Sequence, residues 1–333
     1  MFETYFGLSA QPFQLSPDPA FLFNSRGHKR AHSYLQYGLY QSEGFIVLTG
    51  EVGAGKTTLI RNLLQELDPS KVVAAQLVST QLDADGLLHA VATAFGLVVR
   101  EQKKARVLAE LEAFLVSLLP KNKRALLIVD EAQNLEPEAV EELRMLSNFQ
   151  VQHKALLQSF LVGQPELRDL MRGVEMQQLR QRVIASYHLG PLDADETRAY
   201  IEHRLTHVGW KRNPAFEADT FARIHAYTGG IPRRINTLCT RVLLGAFLAE
   251  KHAVTKADVE DVISEFSEEF GEQISAGEPT PGPSESIVIK TPEVAGLEKR
   301  VMGVERAMQM TVNLVRKLIR QRSEAGAGRA PSP

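Results

Sequence analysis

The sequence contains little cysteine, no long apolar run and no excess of either charge. Its single cysteine, Cys239, has no second thiol for a disulfide or a thiolate metal cluster, which fits a reducing, cytoplasmic compartment. The longest apolar runs, Phe45–Leu48 and Ala125–Val129, fall far short of the roughly 18 residues of a membrane-spanning helix. The net charge of -2 gives no overall basic character for binding nucleic acid, although it does not exclude a local basic patch.

The first residues, Met1 to Phe6, lack the basic and apolar stretches of a secretory signal peptide, so we expect no such signal. With 44% hydrophobic and 23% charged residues, the composition excludes a fibrous or wholly disordered chain. The length of 333 residues suggests about two domains. We therefore expect a folded cytoplasmic protein, with peripheral recruitment to an inner membrane left open.

The first part of the chain divides into a leader and an α/β region. Residues 1–27 are rich in aromatic residues, proline and turn signals, which predicts an ordered leader packed on the core. Residues 28–190 alternate short apolar runs with helical patterns, as in a parallel sheet with helices on both faces. The predicted strands are Phe45–Thr49, Val72–Val78, Ala125–Val129, Gln158–Val162 and Ile184–Leu189.

Residues 191–268 have a different pattern, with helical periodicity only. The pattern breaks at Gly209, at residues 228–230 and near His252, which predicts a small all-helical lid domain. Thr255 is the expected N-cap of its last helix, because Asp258 follows three residues later in an approximate capping box.

The C-terminal part is predicted to be a linker and a coiled coil. Residues 269–290 are rich in Glu, Pro and Gly and predict a flexible linker. Residues 291–322 carry a heptad repeat, which predicts a coiled-coil helix, and residues 323–333 predict a disordered tail. The heptad positions are Val294, Leu297, Val301, Val304, Met308, Thr311, Val315 and Leu318.

The basic coiled coil has three interpretations. Residues 287–322 hold eight Lys and Arg against three Glu. The favoured interpretation is a self-association helix with a solvated basic face, which makes the protein a homo-oligomer. The second is docking onto a partner helix, such as that of an inner-membrane or export-system protein. A membrane-surface or nucleic-acid arm is the third.

The clearest motif is a phosphate-binding loop with the pattern G-x-x-x-x-G-K-[ST], placed between a predicted strand and a predicted helix. Its glycines let backbone N–H groups surround phosphate oxygens, and the helix N-terminus adds partial positive charge. Lys56 is expected to reach the β- and γ-phosphates of ATP, and Thr57 to ligate Mg²⁺. The alternative is a glycine-rich turn without a ligand. The expected binding residues are Gly50, Gly53, Ala54, Gly55, Lys56, Thr57 and Thr58.

A second motif places two acids at the end of the apolar strand at Ala125–Val129. Open α/β sheets bind ligands at the edge where the carboxyl ends of their strands lie. Asp130 at such a strand end is therefore expected to complete the Mg²⁺ site. Glu131 is expected to polarise the water that attacks ATP. The alternative is a pair of exposed acids at a strand end.

With these motifs, residues 28–265 resemble AAA+ ATPases. The resemblance implies three further catalytic residues. Gln164, after the fourth strand, takes the place of a polar sensor that is more often Asn, Thr or Ser, unless Gln164-Pro165 simply starts a helix. Arg182, in preference to Arg180, resembles an arginine finger that reaches a neighbouring subunit, unless both are surface arginines. Arg233, in Gly229-Gly-Ile-Pro-Arg233, resembles the second sensor of the lid.

The leader and the motifs together resemble one branch of these ATPases, the general secretion pathway protein A and MSHA-pilus type. The stretches that carry this resemblance are Tyr5–Leu8, Pro12-Phe13, Pro17–Phe23, Gly50–Thr58, Asp130–Leu135 and Gly163–Leu167. Because a short linker and coiled coil follow the lid, the chain most resembles a shorter subfamily associated with exosortase (PEP-CTERM) and exopolysaccharide loci.

The resemblance implies a cytoplasmic ATPase that uses ATP and Mg²⁺ to drive or regulate an envelope export system. Two alternatives stay open. One is a DNA-linked ATPase, such as a transposition or initiator-like helper, against which stands the lack of a helix-turn-helix pattern and of basic charge. The other is a nucleotide-gated adaptor with little turnover.

Overall fold

The computed structural model describes residues 1–78, 82–99 and 103–270. Its centre is a parallel sheet of five strands in the order β2-β3-β4-β1-β5. The strands are β1 (Phe45–Gly50), β2 (Val72–Val78), β3 (Arg124–Asp130), β4 (Leu157–Gly163) and β5 (Val183–Leu189). The five predicted strands and the α/β class are thereby confirmed.

Helices cover both faces of this sheet. After α1 (Phe2–Phe6), which belongs to the leader and packs on the helical region instead, they are α2 (Arg26–Gln41), α3 (Lys56–Glu66), α4 (Ala84–Ala94), α5 (Lys104–Leu118), α6 (Pro137–Leu146), α7 (Glu166–Arg172) and α8 (Gln177–Arg180). Phe45 and Val47 of β1 pack in one cluster with α4, α5 and α6, whereas Ile46 and Leu48 pack with α2 and α3. Successive residues of a strand face opposite layers. A strand that is buried on both faces is therefore apolar at every position and forms one apolar run in the sequence.

The helical region consists of α9 (Ala194–His207), α10 (Ala218–Thr228), α11 (Pro232–Leu248) and α12 (Lys256–Phe270). The predicted capping box is present, because the Asp258 backbone N–H donates to Thr255 Oγ1 while the Asp258 carboxylate accepts from the Thr255 backbone N–H.

The expectation of a purely helical lid was wrong in one detail. Ala215–Phe216 and Ala253–Val254 form a two-stranded parallel pair. They pair because the α9–α10 and α11–α12 connections run side by side, and the Val254 side chain is fully buried there. Two residues are too few to show a strand period in the sequence.

The leader packs on the helical region. Phe2, Phe6, Leu8, Phe13 and Phe21 join the hydrophobic cluster of α9, α10, α11 and α12. Hydrogen bonds reinforce the contact, since the Ser9 N–H donates to the Val208 carbonyl at 2.9 Å. The aromatic residues of the leader thus belong to a hydrophobic core.

Replacing Phe13 with alanine is expected to destabilise the protein by about 3–5 kcal/mol, because the removed ring leaves a cavity. The Phe13 side chain is 1% exposed, whereas Leu15, two residues away, is 55% exposed. Leu15→Ala is the matched control, with an expected change within about 0.5 kcal/mol. Urea unfolding measures both, and equal effects of the two substitutions would contradict the packing of the leader.

The predicted linker at 269–290 lies, apart from the end of α12, outside the described residues, as do the coiled coil at 291–322 and the tail at 323–333. Within the described part of the chain, no helix combines the length and apolarity that crossing a bilayer requires.

Candidate functional site

Three neighbouring strands end at the same edge of the sheet and place the candidate residues together. β4 lies between β3 and β1, so the segments that follow these strands are adjacent. The segment after β1 is the phosphate-binding loop, Asp130 and Glu131 stand at the end of β3, and Gln164 follows β4. This edge is where open parallel sheets bind ligands.

The loop between Gly50 and α3 needs glycine at two positions. Gly53 and Gly55 have φ angles of +83° and +101°, in the region that side chains disfavour. A Cβ on Gly53 would lie 2.3 Å from Arg233 Cβ, and one on Gly55 would lie 2.7 Å from His28 Nε2. Ala54 lies between these two glycines. Lys56, Thr57 and Thr58 form the first turn of α3, which has the unpaired N–H groups of a helix start.

Lys56 lies inside this loop with its ammonium group held by backbone oxygens. Its Nζ donates to the carbonyls of Gly50 at 2.6 Å and Glu51 at 3.0 Å, and the residue is only 7% exposed. Burial lowers the pKa of Lys56, and the nearby carboxylates of Glu131 and Asp130 oppose that shift. Since no carboxylate of the described residues forms a direct ion pair with this buried ammonium, it is well suited to a phosphate oxygen.

Thr57 and Asp130 meet across the edge of the sheet. The Thr57 hydroxyl donates to Asp130 Oδ2 at 3.2 Å, and the Glu131 backbone N–H donates to Oδ1 at 3.0 Å. Burial raises the pKa of Asp130, since little solvent reaches its carboxyl group. A hydroxyl and a carboxylate are hard oxygen donors that fit Mg²⁺, which takes its other ligands from water and phosphate.

Glu131 occupies the left-handed region with φ of +54°, which turns its side chain away from the strand direction. Gln133 Nε2 donates to Glu131 Oε2 at 2.7 Å, and Gln164 Nε2 donates to the same oxygen at 3.0 Å. Burial raises the pKa of Glu131, but these two hydrogen bonds and the charge of Lys56 outweigh it, so the net shift is downward. The carboxylate is therefore ionised at neutral pH.

The helical region touches the loop through the start of α11. The Arg233 backbone N–H donates to the Gly53 carbonyl at 3.2 Å. The Arg233 side chain is exposed, lines a cavity beside the loop and has no hydrogen-bond partner within the described part of the chain. Pro232 begins α11, as its fixed φ favours, and thereby sets the direction of the next side chain.

The two arginine-finger candidates lie away from the loop of their own chain. The Arg182 carbonyl accepts from the Phe45 N–H at the amino end of β1, whereas the loop follows the carboxyl end. The Arg182 guanidinium donates to Ser147 Oγ at 2.8 Å and to Asn148 Oδ1. Among the described residues, the Arg180 guanidinium donates to the backbone carbonyls of Met171, in the last turn of α7, and Gly173. The structure therefore does not bring either arginine to Lys56.

The cavity beside the loop, about 250 Å³ in volume, has walls that sequence reasoning did not identify. The leader contributes residues 14–18 and 21–23, and the helical region contributes Tyr200, Arg204 and Asn236. The Gln14 carbonyl accepts from Arg204 Nη1 at 3.2 Å and from Asn236 Nδ2 at 3.3 Å. The proline and aromatic content of the leader signalled an ordered segment but not its contact with the cavity.

Comparison with known proteins agrees with this geometry. A family model described as an AAA domain matches residues 39–171. General secretion pathway protein A from Aeromonas hydrophila is 40% identical over 260 residues, which are 78% of this chain and 47% of that protein. The chain thus spans about half the length of the curated relative it matches.

Solved structures share the fold at low sequence identity. The ORC2 protein of Aeropyrum pernix is 19% identical, with a TM-score of 0.59 over 77% of this chain and 72% of that one. Cdc6p from Pyrobaculum aerophilum is 16% identical, with a TM-score of 0.58 over 75% of this chain and 71% of that one. The AAA domain and the relative together show that the chain belongs to the AAA+ P-loop family and is of the general secretion pathway protein A type, and the solved structures have the same fold.

Proposed function

We propose that the chain is an ATPase that hydrolyses ATP with Mg²⁺ and completes its site by self-association. The observation that carries this proposal is the meeting of Lys56, Thr57, Asp130 and Glu131 at one edge of the sheet. Each of the four has the chemistry that one part of phosphoryl transfer needs.

The phosphates are the part of ATP that the loop would hold. Backbone N–H groups at the start of α3 and the Lys56 ammonium would bind the β- and γ-phosphate oxygens. On nucleotide binding, Lys56 would exchange the Gly50 and Glu51 carbonyls for phosphate oxygens, which compensate its charge better. Thr57 and Asp130 would hold Mg²⁺, which neutralises charge on the phosphates.

Glu131 would act as general base. Its ionised carboxylate would accept a proton as water forms a bond to the γ-phosphorus, while the bond from that phosphorus to the bridging oxygen breaks and ADP leaves. Gln164, hydrogen-bonded to the same carboxylate, would be the polar sensor. Arg233, whose side chain lines the cavity without a hydrogen-bond partner among the described residues, would contact phosphate from the helical region.

The arginine finger would come from a second copy of the chain. Since Arg182 lies at the opposite edge of the sheet from its own loop, it would reach only a neighbour's γ-phosphate. Its hydrogen bonds with Ser147 and Asn148 hold it beside the start of β5. Hydrolysis is then expected to depend on protein concentration.

The experiment is the ATPase rate per subunit as a function of protein concentration, with native mass recorded alongside. The rate should rise as oligomers form, and Arg182→Ala should lower it by about 10³-fold or more at unchanged ATP affinity. Arg180→Ala, two residues away, is the matched control and should retain the rate. A slow rate independent of concentration would contradict the shared site and favour a nucleotide-gated adaptor.

For the biological process, we propose a role in driving or regulating an envelope export system. The support is the 40% identity to general secretion pathway protein A. The predicted coiled coil at 291–322 would supply the contact with the inner-membrane or export-system partner, and cytoplasmic ATP would be the energy source. We also propose that the export system is of the kind associated with exosortase (PEP-CTERM) or exopolysaccharide loci.

A further inference from the structure

Gln133 joins the ends of two strands through its side-chain amide. It lies in the short 3₁₀ turn Ala132–Asn134, directly after the two acids. Its Oε1 accepts from the Gln164 backbone N–H at 3.0 Å, and its Nε2 donates to Glu131 Oε2 at 2.7 Å. Because a backbone N–H only donates, the amide oxygen must face Gln164 and the amide nitrogen must face Glu131.

The end of β4 has room for this amide only because residue 163 is glycine. A Cβ at Gly163 would lie 2.7 Å from Gln133 Oε1 and 2.9 Å from Leu167 Cδ2. Any larger residue would displace the Gln133 side chain or the start of α7. The Gln133 contact therefore depends on a specific backbone feature of the neighbouring strand.

The hydrogen bonds on Glu131 are distributed unequally between its two oxygens. Gln133 and Gln164 both donate to Oε2, while Oε1 receives no protein hydrogen bond from the residues that the structure describes. Two donors on one oxygen restrict rotation of the carboxylate about its last torsion. Glu131 lines the cavity beside the loop, and its Oε1 stays available there for a hydrogen bond with water.

We propose that Gln133 is a positioning residue for Glu131, which holds the carboxylate so that Oε1 faces the attacking water. The inference rests on the proposed ATPase function and adds a residue that the phosphate-binding motifs do not include. Gln133 is not among the residues that line the cavity, and on this proposal it acts through Glu131. A general base that is held in one orientation is aligned with the attacking water more of the time than one that rotates freely. The held base therefore gives a faster reaction.

The test is Gln133→Met, which keeps the length of the side chain and removes both hydrogen bonds. The expected result is a fall in kcat of about 10- to 100-fold, with KM and Kd for ATP within about twofold of the native values. Unchanged Kd also shows that the variant is folded. Gln65→Met, an exposed position on α3, is the matched control and should change neither quantity.

A double substitution separates positioning from a general structural effect. In the Glu131→Gln background, Gln133→Met should cause no further fall in the residual rate, because the group that it positions is already disabled. In Gly163→Ala, the added methyl group would displace the Gln133 amide. This variant should therefore show the same fall in kcat.

Three outcomes would overturn the proposal: an unchanged kcat in Gln133→Met, a raised kcat, or a further full fall in the Glu131→Gln background. A raised kcat would mean that Gln133 restrains Glu131 rather than positions it. In each of these outcomes the native chain still hydrolyses ATP, so the ATPase proposal survives. If the native chain hydrolyses no ATP, the proposed function fails and the role of Gln133 fails with it.

Discussion

Replacing Lys56 with alanine is expected to abolish nucleotide binding at working concentrations of ATP. Lys56 is buried in the phosphate-binding loop and its Nζ now rests on the Gly50 and Glu51 carbonyls. Loss of one partner of a buried charge pair costs about 2–5 kcal/mol, which is about 30- to 5,000-fold in Kd. The fold should persist, because alanine also removes the cost of burying an ammonium group.

Titration with a fluorescent ATP analogue in the presence of Mg²⁺ measures this effect. Lys121→Ala is the control, because Lys121 is exposed beside the amino end of β3, the opposite edge of the sheet. An unchanged Kd in the Lys56 variant would contradict the assignment of the loop. In cells, replacing the native chain with the Lys56 variant should stop export. Normal export in such cells would contradict the proposed role in export but not the proposed ATPase activity.

Replacing Glu131 with glutamine is expected to separate ATP binding from hydrolysis. The amide cannot accept the proton of the attacking water, so kcat should fall by about 10²- to 10⁴-fold. The binding of ATP should stay the same or tighten, since the substitution removes a negative charge near the phosphates. The amide oxygen still accepts hydrogen bonds from Gln133 and Gln164, which preserves the local structure.

The measurement combines the rate of ADP formation at saturating ATP with the Kd for the nucleotide. Glu138→Gln is the matched control, because Glu138 is an exposed carboxylate in the first turn of α6 with no partner in the described part of the chain. A rate for Glu131→Gln within about threefold of the native rate would assign the base to another residue.

Much of the candidate site was predictable because its signals are local. The phosphate-binding motif lies between a run buried on both faces and a helical pattern, so its position at a strand end follows from sequence order. The same holds for Asp130 and Glu131, which end an apolar strand. The capping box at Thr255 was predictable for the same reason, since both partners lie within three residues.

The contacts of the leader with the cavity were not predictable, because they join residues far apart in sequence. The hydrogen bond from Asn236 to the Gln14 carbonyl links positions separated by 222 residues. No pattern in residues 1–27 identifies which backbone carbonyl will meet which side chain of α9 or α11. The Arg61 guanidinium likewise donates to the Pro17 carbonyl at 2.7 Å, which ties the leader to α3.

The sequence by itself determined the class of fold and the five strands, and it identified the candidate residues for binding phosphate and Mg²⁺ and for activating water. Periodicity and short motifs decide these, because each depends on neighbours along the chain. The tertiary structure alone decided that Gln133 and Gln164 share one oxygen of Glu131, that Arg182 lies away from its own loop, and that the leader lines the cavity. These features depend on strand order and on the packing of distant segments, which local patterns do not encode.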